Sequence, residues 1–248
     1  MKIDSETLAK VQELPPAEQE EILKLLEEID EAEKKEAAQE GFIPFAKYMW
    51  PAFEKIARGE LKRLIVNMPP RHTKSEFASF LLPAWFLGQY PEKKVIQTAH
   101  TAELSVGFGR KVRNLVDSDD FKKVFPNLAL RADSKAAGRW STSAGGEYFA
   151  IGVGGAVTGK GADLLIIDKT YDWYTSGPRQ RLQPGGAIVI VMTRWHMRDL
   201  TGKIIKSSTQ RAGMDEWEVI EFPAIMPSGN ALWPEFWSIA ELTALQSE

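Results

Sequence analysis

The residues Arg63 to Ser75 read Arg-Leu-Ile-Val-Asn-Met-Pro-Pro-Arg-His-Thr-Lys-Ser, an apolar run that breaks at two prolines and reaches Lys74-Ser75 just before an expected helix, Glu76 to Phe86. Lysine, hydroxyl and helix start in that order are what a polyphosphate needs. Backbone N–H groups at the helix start cradle the phosphates, the ammonium reaches the β and γ oxygens, and the hydroxyl ligates Mg2+. In the pattern G-x-x-x-x-G-K-[ST], the two glycine positions fall on Met68 and Thr73, so this loop contains no glycine. A Lys-Ser pair by itself equally marks a solvated helix start.

Two further stretches supply the complementary groups. Ala162-Asp163-Leu164-Leu165-Ile166-Ile167-Asp168 places four large aliphatics ahead of a carboxylate, as expected for a buried strand that delivers Asp168 to a sheet edge. In a nucleotide site such a carboxylate holds Mg2+ opposite the Ser75 hydroxyl. Gly185 to His196 repeats the pattern, a buried strand ending in Met192-Thr193-Arg194. That ending places a hydroxyl and a cation where the γ-phosphate would be sensed. The glycine-rich run Gly152 to Gly161 reads as a close-approach loop or a connector.

These groups need a scaffold that brings them to one edge. The expected strands are Leu64–Val66, Lys94–Ala99, Tyr148–Val153, Leu164–Ile167, Ala187–Met192 and Trp217–Phe222, and the expected helices are Ser75–Gly88, Ala102–Ser118 and Asp199–Ser207. Short apolar runs alternating with helices imply a mostly parallel sheet covered on both faces, with ligands at the carboxyl ends of its strands. The 248 residues suffice for one large α/β domain with a small appendage. With no cysteine and three histidines, the chain offers no disulfide or thiolate metal ligand and little histidine for a metal centre. A net charge of −3 gives no global footprint for nucleic acid, so any such contact is local or built by assembly. No segment is long and apolar enough to read as a membrane span, and no secretory leader is recognised.

Pro69-Pro70-Arg71-His72-Thr73-Lys74-Ser75, Gly154-Gly155-Ala156-Val157-Thr158-Gly159-Lys160-Gly161-Ala162-Asp163 with the strand to Asp168, and Met192-Thr193-Arg194-Trp195-His196 together resemble the large terminase subunit of tailed double-stranded DNA bacteriophages. The resemblance runs from about Phe42 to the end of the chain. It implies a P-loop NTPase core of the additional-strand, RecA-like type with an N-terminal helical extension. It also implies ATP and Mg2+ as cofactors and a motor that drives DNA into a capsid. Pro70 to Glu76 would form the phosphate loop, with Lys74 on the β/γ-phosphates, Arg71 as a second cation, and Ser75 and Asp168 on the metal. Thr193 would couple phosphate state to movement, and Lys160 falls where many relatives present an arginine to a neighbouring subunit's ATP. The implied partners are double-stranded DNA, the portal protein, the small terminase subunit and further copies in a ring. The implied location is the host cytoplasm, transiently at the portal vertex.

The expected division is an N-terminal helical lid over 1–41, a core over 42–232 and a C-terminal helix or linker over 233–248, leading toward a nuclease domain that the chain lacks. Three departures from the family pattern stand out, one of them that Trp50-Pro51-Ala52-Phe53-Glu54 runs directly into a helix where relatives carry a further basic or histidine-containing segment near the adenine site. Asp168 is followed by Lys169 rather than by the acid that positions the attacking water, and only Lys169-Thr170-Tyr171 separate Asp168 from Asp172-Trp173-Tyr174. A nucleotide-binding but hydrolytically impaired module and a helicase-like P-loop ATPase are the alternative readings. Clusters at Lys55-Arg58-Lys62-Arg63, Arg110-Lys111-Arg113 and Lys122-Lys123 are solvated faces or contacts for DNA or another subunit.

Overall fold

The computed structural model describes residues 46–152, 155, 159–168, 178–194, 199–210 and 215–246. Helix α1 (Ala46–Arg58) precedes strand β1 (Arg63–Asn67), and a π-helical segment (Glu76–Leu81) runs straight into α2 (Leu82–Gln89). Then come β2 (Lys94–Ala99), α3 (Ala102–Val116), α4 (Asp119–Val124), β3 (Leu130–Ala136), β4 (Arg139–Thr142), β5 (Glu147–Gly152) and β6 (Ala162–Asp168). A 3-10 turn (Pro178–Arg181) leads to β7 (Leu182–Met192), α5 (Leu200–Gln210), β8 (Glu218–Glu221) and α6 (Ile239–Gln246). The chain divides into two units, Met1–Lys47 and Tyr48–Glu248. Apart from Ala46 and Lys47 at the start of α1, every element above belongs to the second.

All eight strands join one sheet in the order β3-β4-β5-β2-β6-β7-β1-β8. From β5 to β8 every neighbouring pair is parallel, while β3 and β4 form an antiparallel edge. Strands β6, β7 and β1 sit at the centre, and their side chains are buried on both faces, which is why they read as unbroken aliphatic runs rather than alternating ones. Because β7 lies between β1 and β6, the sheet is of the additional-strand, RecA-like P-loop type.

Each face has its own cover. Ile65, Ile96, Leu165, Ile167, Ile188, Ile190 and Met192 pack with Leu200 and Ile204 of α5. The opposite face carries the π-helical segment, α2 and α3. Thr101 caps α3 by accepting from Leu104 N–H at 3.2 Å, and Ser105, Phe108, Gly109, Val112 and Val116 form its buried face at helical spacing. Gly109 is there because of a close approach: a Cβ would lie 2.5 Å from the Ala137 carbonyl oxygen. That proximity lets the buried Trp140 indole donate to the Gly109 carbonyl at 3.3 Å while stacking on Tyr148 at 5.0 Å.

The π-helical register follows from Pro83, which has no N–H to offer the carbonyl four residues back. At the junction the Leu82 N–H bonds instead to the Phe77 carbonyl, five residues back. The sequence reading of one continuous helix over Ser75–Gly88 missed this change of register.

Candidate functional site

Strand β1 ends at Asn67, and Met68 still bonds to the carbonyl of Met192 at 3.1 Å, so the loop leaves the sheet between β7 and β8. Pro69 and Pro70 then turn the chain. Arg71 has φ 59° and Thr73 has φ 60°, the described non-glycine residues in the left-handed region. Thr73 occupies a glycine position of the phosphate-loop pattern and adopts the conformation that glycine is used for, at a strain cost for a β-branched residue. The Phe77 N–H bonds to the Thr73 carbonyl at 3.1 Å, which starts the helix right after the loop.

Lys74 is 8% exposed, and its ammonium donates to the Pro69 carbonyl at 3.2 Å, folding back across the loop. Ser75 Oγ donates to Asp168 Oδ2 at 3.3 Å, although 93 positions separate them. Register explains the meeting: Asn67 of β1 lies beside Met192 of β7, and Asp168 of β6 lies beside Val191 of β7, so the three strands end level. Leu165 and Ile167 face α5, so Asp168 projects to the other face, beneath the π-helical segment. Thr193 follows β7 at the same edge. It is 5% exposed, and its Oγ1 has no hydrogen-bond partner.

His72 is buried within the loop. Its Nδ1 lies 2.8 Å from the Pro70 carbonyl, which can only accept, so Nδ1 carries the proton. Burial is the main reason its pKa falls below the ordinary 6.5, with the nearby Lys74 charge adding to the fall and the Pro70 bond opposing it. Nε2 is buried with no hydrogen-bond partner. Glu76 accepts from Lys111 of α3 at 2.7 Å.

The other sequence candidates are distributed more widely. Arg71 is exposed and lines a cavity beside the loop. Lys160 precedes β6, at the amino-terminal edge of the sheet. There it pairs with Glu147 at 3.3 Å and lies 5.8 Å from the Phe149 ring centroid, a strand's length from Lys74. Lys169–Gly177, Trp195, His196 and half of Gly152–Gly161 lie outside the described residues. Of the basic clusters, Lys122 and Lys123 pair with Asp117 and Asp120, each at 2.8 Å, and Lys111 with Glu76. Arg110 and Arg139 are exposed.

Sequence reasoning missed a polar network on the α5 side of the same edge. Thr201 donates to Asn67 Oδ1 at 2.9 Å, and Asn67 Nδ2 lies 3.4 Å from Glu221 of β8. Arg194 bonds to Asp199 at 2.9 Å and reaches Glu221 at 3.8 Å, while Asp199 caps α5 by accepting from Gly202 N–H at 2.9 Å. Polar residues at strand ends read as ordinary turns, and nothing local marks them as partners.

Among the described residues no three His, Cys, Asp or Glu side chains gather to hold a metal. Ser75 and Asp168 alone are too few for a dedicated cage, and they suit a cation that shares its ligands with phosphate oxygens.

No family model and no curated protein matches the chain. Among solved structures, it is similar to the large terminase of bacteriophage HK97, at 16% identity and a TM-score of 0.47, over 74% of this chain and 40% of that one. It is also similar to a point mutant of the large terminase ATPase domain of Thermus phage P74-26, at 17% identity and a TM-score of 0.49, over 74% of this chain and 82% of that one. The chain thus spans 40% of the HK97 protein's length.

Proposed function

We propose that this chain is an ATP-hydrolysing motor domain of the terminase type, which uses Mg2+-dependent ATP turnover to translocate double-stranded DNA into a procapsid. One observation carries the nucleotide reading: Ser75 and Asp168, from two separate strand ends, meet at 3.3 Å beside a buried lysine at the carboxyl edge of a parallel sheet. The packaging reading is supported by the order of the phosphate loop, the Thr158-Gly159-Lys160-Gly161-Ala162-Asp163 segment and the Thr193 strand end along one chain.

In this reading Lys74 releases the Pro69 carbonyl and neutralises the β/γ-phosphates, while the N–H groups after Thr73 hold the phosphate oxygens. Ser75 and Asp168 would hold Mg2+ together with the phosphates, and the cation would supply charge neutralisation there. The Thr193 hydroxyl, buried and without a partner, is placed to bond a phosphate oxygen and to report its loss through the adjacent Arg194. Arg71 adds a second positive charge at the solvent side. Lys160 serves a neighbouring subunit only by leaving Glu147, which makes ring assembly a condition for its use. DNA, the portal protein, the small terminase subunit and a homo-oligomeric ring are the partners this reading requires. It places the protein in the host cytoplasm and at the portal vertex.

The test is steady-state phosphate release by wild type and Lys74→Ala, with and without DNA. Loss of turnover in the variant is the expected result, and wild-type-like hydrolysis refutes the assignment. A second reading, a module that binds nucleotide without cleaving it, is favoured by Lys169 standing where a water-positioning acid belongs. It predicts Mg2+-ATP binding with no phosphate release under any of these conditions.

A further inference from the structure

We infer that Trp233 is a positioning residue for the phosphate loop: its ring backs the buried His72 and so holds the left-handed turn on either side of that residue. The inference rests on the nucleotide reading above and adds that the chain beyond β8 sets the shape of the triphosphate site.

The loop needs support from outside itself. Arg71 and Thr73 both stand at positive φ, with His72 between them. Non-glycine residues stay in that region only where their surroundings hold them. Inside the loop two side chains brace the turn, Lys74 on the Pro69 carbonyl and His72 on the Pro70 carbonyl. The first brace goes when Lys74 turns to phosphate. His72, only 1% exposed, then carries the turn, and a neighbour must fix its ring. Trp233 meets that ring edge-on, with centroids 6.4 Å apart and planes at 61°. That geometry lies within the range of a favourable aromatic pair.

Local structure brings Trp233 there. The Phe222 N–H bonds to the Asn67 carbonyl at 2.9 Å, so the chain leaves β8 beside the start of the loop. Residues 224–232 then form a narrow hairpin. The Leu232 N–H bonds to the Ala224 carbonyl at 2.9 Å, the Met226 N–H to the Asn230 carbonyl at 2.8 Å, and Ile225 bridges Ala231. Gly229, at φ 80°, makes the reversal. A hairpin ends where it began, which returns the chain to the loop at Trp233. The Trp233 carbonyl accepts from the N–H groups of Phe236 and Trp237 at 3.1 and 2.9 Å, and the Phe236 ring stacks on the indole at 4.8 Å. Held by the hairpin on one side and this turn on the other, Trp233 keeps its place when Lys74 moves, and His72 keeps its place against Trp233.

The experiment is equilibrium binding of inorganic tripolyphosphate, with Mg2+ present, to wild type, Trp233→Ala, Trp233→Phe, His72→Ala and the double variant His72→Ala/Trp233→Ala, with the Tm of each. Trp233→Ala should weaken affinity about three- to tenfold, the scale of one aromatic pair. Trp233→Phe, which keeps a ring edge against His72, should recover most of that loss. Because Trp233 acts through His72, adding Trp233→Ala to His72→Ala should weaken binding no further, whereas independent residues give additive losses. A merely structural role would lower the Tm of Trp233→Ala and leave the affinity of the folded protein at the wild-type value. That result overturns the inference, as do additive losses or a Trp233→Phe loss as large as that of alanine. If Trp233→Ala does not fold, wild type decides by reciprocity, since a ligand that needs the contact must strengthen it. Amide exchange at Phe236 and Trp237 should then slow about three- to tenfold with tripolyphosphate bound, and unchanged exchange overturns the inference. Any of these failures leaves the phosphate site standing, whereas failure of tripolyphosphate to bind wild type removes the nucleotide reading, and this inference with it.

Discussion

Replacing Thr73 by glycine should stabilise the protein, even though glycine normally weakens a fold. Thr73 is held at φ 60°, where a non-glycine residue costs about 1–2 kcal/mol, and its β-branching adds to that. Its hydroxyl is also buried without a hydrogen-bond partner, worth about 1 kcal/mol or more in lost solvation. Against these stands the extra freedom glycine gives the unfolded chain, about 0.5–1 kcal/mol. The balance favours Thr73→Gly by about 1 kcal/mol, which in a domain of this size raises Tm by about 2–4 °C. Calorimetry without nucleotide keeps ligand binding from contributing. Thr73→Ala, which removes the hydroxyl but keeps the strained Cβ, should recover only part of the gain. A Tm for Thr73→Gly at or below wild type would refute the strain argument, and with it the idea that this loop reaches a glycine geometry by force.

Asp168→Asn should abolish the Mg2+ dependence of ATP affinity, read by titration with and without chelator, because the neutral amide cannot hold the cation opposite Ser75. His72 has a lowered pKa, so the stability it contributes is complete above its ordinary 6.5 and is lost as pH falls through the lowered value. The Tm of wild type should therefore drop more between pH 7 and 5 than that of His72→Gln, and identical slopes would contradict this. Gly109→Ala pushes a methyl group against the Ala137 carbonyl and should lower the urea unfolding free energy by about 1–3 kcal/mol.

The centre of the fold was legible because its strands are buried on both faces. Lys94–Ala99 matches β2 residue for residue, and the runs ending at Asp168 and Met192 end where β6 and β7 do. The β3–β4 edge was not legible: Leu-Arg-Ala-Asp-Ser-Lys-Ala has one large apolar residue, and its pairing comes from the neighbouring strand rather than from its own pattern. The short helix α4, with no buried residue, gave no periodicity to read. At the candidate site, the strand–turn–helix order pointed to Lys74 and Ser75, and the aliphatic run pointed to Asp168. The left-handed backbone at Arg71 and Thr73 had no glycine to announce it. The Asn67–Glu221–Arg194 network joins strand ends far apart in sequence, a contact that only the sheet order creates.

Strand β7, which Thr193 follows, is hydrogen-bonded along both edges, to β6 and to β1. A strand clamped on two sides cannot slide or tilt without tearing two ladders at once, so it makes a stiff post. At its end Met192 Sδ accepts from Thr201 of α5 at 3.0 Å, and just beyond it Arg194 bonds to Asp199 at 2.9 Å. Arg194 holds the residue that caps α5, so the end of a stiff strand and the start of a helix are joined by an ion pair as well as by packing.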